Sequence, residues 1–433
     1  MRNYDAIIIG AGVIGAATSL SLSRKGWKVL SIDKLPAAGY GSTSGSCAII
    51  RPYYSTVDAS AIAFESHHYW RDWQEFLGFE DERGFARYNN CGALVTKTPH
   101  NNELRDACAI MDELGASYEH LSVAQMQQKL PMLCKESYYP VRRIDDENFG
   151  VANEEELIGA VFFHQAGYVS DPQLATHNLQ RAAEQSGAQF RFNIAVSEIV
   201  QQSGRVTGIR TQCGEGIAAP VVINIAGPHS AKVNAMAGVD QTMKIKTRAL
   251  RHEVAHVPAP HAFDYEHAGC IFSDSDIGGY MRPEVGNNIL LGSEDPPCDD
   301  HAWVDPDDFN RGFSTMWQSL VMRAAQRIPE LGIPNTAKGV VELYDVTDDW
   351  APIYDASDLP GFYMAVGTSG NQFKNAPVAG QIMADIVESM ENGGNHDIAP
   401  VDFHLRYIDH TISTAMFSRN RLINPDSSFS VLG

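Results

Sequence analysis

The stretch Asp5-Ala-Ile-Ile-Ile9-Gly10-Ala-Gly12-Val13-Ile14-Gly15 constrains the fold more than any other. Its apolar run, β-branched and without polar alternation, predicts a strand buried on both faces. Glycines follow at once, and residues Ala16–Lys25 read as a helix, with Gly26 where a helix ends in a left-handed residue. Lys28-Val-Leu-Ser-Ile-Asp33 is a second strand that ends in an acid. A complete βαβ unit of this size predicts an α/β fold with a parallel sheet. A GxGxxG alone is a weak signal. Between a strand and a helix, with Asp33 closing the next strand, it is the dinucleotide fingerprint. Gly10, Gly12 and Gly15 let the backbone approach a pyrophosphate. Val13 and Ile14 lie within this turn, before a helix whose free N–H groups would face the pyrophosphate. Asp33, with Lys34 beside it, is the candidate contact for an adenosine ribose.

Composition narrows the class. The 433 residues carry 33 Lys and Arg against 53 Asp and Glu, a formal charge of −20, and 44% are hydrophobic. That apolar fraction supports a large core and excludes intrinsic disorder. The acidity argues against a nucleic-acid binder, which needs basic patches, and against an anionic membrane surface. It leaves room for an anionic small molecule in a locally positive pocket. The apolar run Ala6–Ala17 is too short for a bilayer span of about 20 residues. Seven cysteines without a CxxC pair predict reduced thiols and no metal site. With no leader pattern at the start, the expected location is the cytoplasm.

Helices are expected over residues 59–77, 103–114, 171–186, 307–327 and 377–390, the third with Asp171 as N-cap and Pro172 in its first turn. Strands are expected over 92–96, 189–194, 205–212, 221–225 and 362–366. Two loops carry chemistry. Gly41-Ser42-Thr43-Ser44-Gly45-Ser46-Cys47-Ala48-Ile49-Ile50-Arg51 could extend the phosphate cradle, a flexible loop being the competing reading. Gly367-Thr-Ser-Gly370-Asn371-Gln372-Phe373-Lys374-Asn-Ala-Pro377 again joins a strand to a helix. Such a helix start can face the anionic edge of a reduced flavin. Two anion sites of this kind, far apart in the chain, suit an extended FAD better than NAD.

Together these residues resemble the D-amino-acid oxidase superfamily of flavoproteins, and within it the sarcosine-oxidase-like and glycine-oxidase-like amine oxidoreductases. The likeness is carried by Ile7–Gly15 with Asp33, by residues 41–51, by Val222-Ile-Asn-Ile-Ala226-Gly227-Pro-His-Ser230, by Tyr280-Met-Arg282-Pro through Leu291-Gly292, and by residues 361–380. It implies a Rossmann-like FAD-binding domain (1–90, 150–235 and 340–395) interwoven with a mostly antiparallel-sheet substrate domain (91–149 and 236–339), and a C-terminal extension (396–433). It also implies that Arg51 and Lys374 grip a substrate carboxylate. A guanidinium fork plus an ammonium suits that task, although a structural salt bridge for Arg51 and a surface ion pair for Lys374 compete. Val196, Ala226 and Gly227 fall at the adenine and pyrophosphate sides, with packing as the alternative. Tyr280 and Arg282 would lie over the flavin, on one side of a strand by alternation. They are candidates for a second carboxylate or a polar substrate tail, with core packing and solvent exposure equally open.

Two departures from the family matter. Its sarcosine oxidases link FAD through a cysteine in the segment matching Val340-Val-Glu342-Leu-Tyr344, where this chain has Glu342 and no cysteine. Non-covalent FAD is therefore expected. Their oxygen-activating lysine is absent from the apolar Asn288-Ile-Leu-Leu-Gly292, so a redox partner competes with O2 as electron acceptor. The expected activity is hydride transfer from a small amino or imino acid (an N-methyl amino acid, a D-amino acid or a proline-like compound) to flavin N5, giving an imine that hydrolyses. An alternative is a 2-hydroxy-acid dehydrogenase with a histidine base, for which His67, His68 and His229 are candidates. Another is a flavin-bearing, β-like subunit of a hetero-oligomeric amine dehydrogenase. Assembly into an oligomer is compatible with either.

Overall fold

The computed structural model describes residues 4–425 and 427–432. β1 (Ala6–Ile9), α1 (Val13–Arg24) and β2 (Val29–Ile32) follow the order read from the sequence. Every residue of both strands is buried, as an unbroken aliphatic run requires when both sheet faces are covered. They belong to a six-stranded sheet ordered Ile353–Ala356, Phe362–Val366, Val221–Asn224, β1, β2 and Gln189–Arg191. Only the first of these is antiparallel to its neighbour. The loops after Ile9, Asn224 and Val366 therefore open onto one edge, where open parallel sheets bind ligands.

The helices Pro172–Gln185 and Ala376–Glu391 both pack against α1. The latter meets it at backbone distance, because a Cβ added to Gly380 would lie 2.5 Å from the Ala17 carbonyl carbon. A separate cluster, with Ile199, Val206 and Ile209 from the three-stranded sheet Val196–Gln202, Arg205–Thr211 and Gly216–Ala218, gathers around Ile7, Ile9, Leu30 and Ile32. Alternation along β1 and β2 sends these side chains to the face opposite Ala6 and Ile8.

A second, nine-stranded sheet is mostly antiparallel. Its path runs Ala302–Trp303, Thr247–Pro258, Asn288–Ser293, Gly279–Glu284, Ile271–Asp274, Ala93–Lys97, Gly159–Phe163 and Tyr118–Leu121, with Gly339–Thr347 also paired to Thr247–Pro258. The helix Thr315–Arg327 contributes Trp317, Leu320, Val321 and Ala324 to the apolar cluster on this sheet. Register here sets the site. Ser273 pairs with Tyr280, and Tyr280 with Gly292. A Cβ at Gly292 would lie 2.2 Å from Tyr280 Cζ, so the tyrosine ring occupies the space that a side chain there would need.

Several boundaries differ from expectation. The helix read over 59–77 is two, Val57–Arg71 and Trp73–Leu77, interrupted at Asp72. The helix expected from Asp307 begins at Thr315, where the Ser314 hydroxyl accepts the Met316 N–H at 3.2 Å. Residues just before it are held as a loop. Lys232 grips Asp305 and Asp307 (2.5 and 2.7 Å), and Arg251 takes the carbonyls of Asn310 and Gly312. The strand read over 189–194 stops at Arg191, and Asn193 turns the chain in the left-handed region. Asp171 caps its helix as expected. All seven cysteines are unpaired. Among the described residues no helix is long and apolar enough to cross a membrane.

Candidate functional site

A cavity of about 650 Å3 is lined by the three loops of the parallel sheet and by residues of the nine-stranded sheet. Its first wall is the turn after β1. Gly10 has φ +111, and a Cβ there would lie 2.1 Å from the Ile225 carbonyl oxygen; one on Gly15 would lie 2.1 Å from the Gly10 oxygen. Only glycine lets the strand, the turn and the helix close this tightly. The Val13 N–H donates to Thr43 Oγ1 at 3.2 Å, and the Ser42 hydroxyl donates to the Leu343 carbonyl at 2.7 Å. Residues 42 and 43 thereby join the cradle to the second sheet. Asp33 accepts the N–H groups of Ala11 (2.7 Å) and Leu35 (2.9 Å), which fixes the turn and leaves lone pairs for a ligand. Beside it, Lys34 and His229 meet Asp307 at 2.8 and 2.9 Å. Lys232, then Lys34, hold the Asp307 carboxyl well below the usual carboxylate range.

Arg51 and Lys374 line the same cavity. Arg51 is 6% exposed and lies over the rings of Tyr54 and Tyr53 (4.3 and 5.0 Å). It donates to the carbonyls of Tyr53, Val431 (3.2 Å) and Leu432 (2.6 Å). Lys374 Nζ donates to Tyr54 Oη and to the Asn371 carbonyl, each at 2.7 Å. Burial, and secondarily Arg51, push the lysine well below its ordinary pKa. Among the described residues the hydrogen-bond partners of both basic groups are carbonyls and one phenol, not carboxylates. A buried guanidinium whose hydrogen bonds, among the described residues, all go to neutral carbonyls leaves room for an added anion.

The other candidates divide. Gly10, Gly12, Val13, Ile14, Gly15, Asp33, Lys34, Gly41, Ser42, Thr43, Val196, Ala226, Gly227, Gly370, Asn371, Gln372, Phe373 and Tyr280 all line the cavity. Ser44, Gly367 and Arg282 are not in its wall. Ser44 is exposed and donates back to the Gly41 carbonyl at 2.9 Å. Gly367 has φ +70, and its N–H donates to Asp345 Oδ2 at 2.6 Å. Arg282 is buried and consumed locally. It donates to the carbonyls of Cys47 and Pro283, pairs with Glu284 at 3.0 Å, and covers the Tyr168 ring. Of the histidines considered as bases, His229 lines the cavity, at its Lys34 end. His67 hydrogen-bonds Tyr88, and His68 stacks on Tyr407.

The structure adds residues that sequence reasoning missed. Ser273, Tyr344 and Asp345 line the cavity. Asp345, 2% exposed, is pushed up to about 7 by burial. Glu294, behind Ser273, is pushed up to about 8 by burial. His252 is held by Asp295 at 2.7 Å and stacks on Tyr344. Each lies in or just past a long-range strand pairing, and no local motif marks it. Asp81, Glu82 and His177 form a group with metal-ligand spacing among the described residues, but none of them lines the cavity.

Comparison with known proteins bears on this arrangement. The model of the DAO family, described as FAD dependent oxidoreductase, matches residues 5–386. Mitochondrial sarcosine dehydrogenase of Mus musculus is 26% identical over 426 residues, covering 94% of this chain and 42% of that protein. The chain thus spans less than half of that relative. Glycine oxidase of Geobacillus kaustophilus is 23% identical, covering 92% of this chain and 96% of that one. Its crystal structure superposes with a TM-score of 0.73 at 21% identity, covering 98% of this chain and 100% of that one. L-proline dehydrogenase from P. horikoshii superposes with a TM-score of 0.73 at 20% identity, covering 91% and 95%.

The residues present fit FAD. Besides the glycine cradle, Asn371 Nδ2 is buried in the wall without a hydrogen-bond partner. It is a donor that needs an acceptor such as a flavin edge or a phosphate would supply.

Proposed function

The chain belongs to the FAD dependent oxidoreductase (DAO) family and is an FAD-dependent enzyme, and on that premise we propose that it oxidises the C–N bond of a small amino or imino acid. The observation that carries this reading is the pair Arg51 and Lys374, both buried, both on the cofactor cavity, and, among the described residues, neither hydrogen-bonded to a carboxylate. Bound FAD supplies the two-electron acceptor. The protein's own part is orientation. The Arg51 fork and the Lys374 amine fix a carboxylate, which presents one face of the adjacent carbon and its nitrogen to the cavity. An anion in this place also restores the positive charge that burial removes from Lys374.

Glycine, sarcosine and proline appear in the names of the relatives, which supports this substrate class. A 2-hydroxy acid would need a base for its hydroxyl, and the cavity's own histidine, His229, is tied to Lys34 and Asp307. That observation favours the amine. FAD is expected to bind without a covalent link, because Glu342 occupies the matching segment and the cavity's thiol, Cys47, is pushed up by burial and so is a weak nucleophile. The electron acceptor is O2 or a redox partner. One relative is named as a β subunit of sarcosine oxidase, which keeps a partner chain in view.

Anaerobic mixing of the FAD-loaded protein with N-methylglycine-type, D-amino and cyclic imino acids tests the reading. At least one should bleach the flavin band. No bleaching by any member of the panel refutes it.

A further inference from the structure

We infer that Glu294, oriented by Ser273, binds the nitrogen of the substrate, so that the site selects zwitterionic amino or imino acids over plain carboxylates. The inference rests on the carboxylate-binding reading of Arg51 and Lys374 and extends it to the other pole of the substrate.

The placement follows from strand register. Ser273 lies opposite Tyr280, and Tyr280 opposite Gly292. Residues directly opposite share a face, and alternation carries that face from Gly292 to Glu294. The Glu294 N–H continues the ladder onto the Gly278 carbonyl at 3.1 Å. Ser273 and Tyr280 line the cavity; Glu294 shares their face of the sheet but stands just outside the wall. The Ser273 hydroxyl donates to Glu294 Oε1 and points the carboxyl from behind the wall.

Glu294 is only 6% exposed, and its hydroxyl partner is neutral. The acids and cations nearby do not explain it. Asp274 is already satisfied by Arg327 (2.7 Å) and Thr96 (2.8 Å). Arg51 is close enough to act on Glu294 electrostatically, yet directs its N–H groups to carbonyls. Burying an unpaired carboxylate is costly, which is why burial favours the protonated form of Glu294; a cationic N–H group on a ligand would stabilise the carboxylate in its place. With such a ligand bound, Arg51 in the wall and Glu294 behind Ser273 would supply one positive and one negative pole. That is the complement of an α-amino or imino acid.

The experiment uses the full-length, FAD-loaded protein and two inert ligands of one shape. 2-Aminoisobutyrate and pivalate differ by an ammonium in place of a methyl, and neither has a hydrogen on the carbon beside its carboxylate. Both are titrated against the flavin absorption spectrum. The wild type should prefer 2-aminoisobutyrate. In Glu294→Gln that preference should fall about tenfold or more, with pivalate affinity within twofold of wild type. Ser273→Ala, which keeps the acid and removes only its orientation, should lower the preference by about threefold. An unchanged preference in both variants overturns the inference and leaves the carboxylate site standing. If neither ligand perturbs the wild-type spectrum, the carboxylate site itself is refuted, and this inference with it.

Discussion

Arg51→Lys tests the centre of the proposed site because it keeps the charge and removes the fork. In the structure the guanidinium serves three carbonyls from one buried position. A carboxylate bound side-on would exchange some of these for two parallel charge-assisted hydrogen bonds. An ammonium can supply one of them. A hydrogen bond to a charged group contributes about 1.5–3 kcal/mol, so the loss corresponds to roughly 10- to 150-fold weaker carboxylate binding at about 1.4 kcal/mol per decade. The Lys374 amine does not compensate, because Tyr54 and Asn371 hold it at 2.7 Å. The assay is a titration of the FAD-loaded variant with propionate, followed by flavin absorbance, with FAD content and melting temperature as controls. A propionate Kd within twofold of wild type, in a folded and FAD-loaded Lys variant, would show that Arg51 does not hold the carboxylate.

Three further outcomes follow from the geometry. Gly15→Ala puts a Cβ 2.1 Å from the Gly10 oxygen; overpacking of about 2 kcal/mol should weaken FAD binding about 30-fold, read by FAD fluorescence during dialysis. Ending the chain at Val431 removes the Leu432 carbonyl from Arg51 but turns the Val431 carbonyl, 3.2 Å from the same fork, into a carboxylate, so propionate should bind about tenfold weaker by competition with a charge-assisted bond; unchanged affinity would rule out competition. Burial raises the Asp345 carboxyl from 3.8 to about 7, so its contribution to stability is complete below about pH 4 and is lost as pH rises through 7, with a ceiling on the order of 4 kcal/mol. Asp345→Asn should therefore gain melting temperature relative to wild type at pH 8 and not at pH 4, and an equal difference at both pH values would refute the assignment.

What the sequence discloses depends on the range of the interaction involved. The turn Gly10–Gly15 is legible because Gly15 answers the Gly10 oxygen within one βαβ unit and Gly10 the end of the strand beside it, at the Ile225 oxygen. The helix expected from Asp307 fails for the opposite reason. Partners remote in sequence, Lys34, Lys232 and Arg251, hold residues 305–312 in a loop, and such pairings override local periodicity.

The hairpin over the cavity is the sharper case. Alternation alone puts Tyr280 and Arg282 on one face, with Leu290, Gly292 and Glu294 opposite them, and it cannot say where along that face the cavity lies. The turn at Gly286 and Asn287, both at positive φ, sets the register that pairs Tyr280 with Gly292. A slip of one residue would turn the opposing strand's whole set to the other face. Within that register Arg282 falls beyond the cavity wall, where Glu284 and two carbonyls consume it. Glu294, at the other end of the same face, meets the wall behind Ser273. The basic residue thus becomes structural, and the acidic one is left behind the cavity wall within electrostatic reach of Arg51.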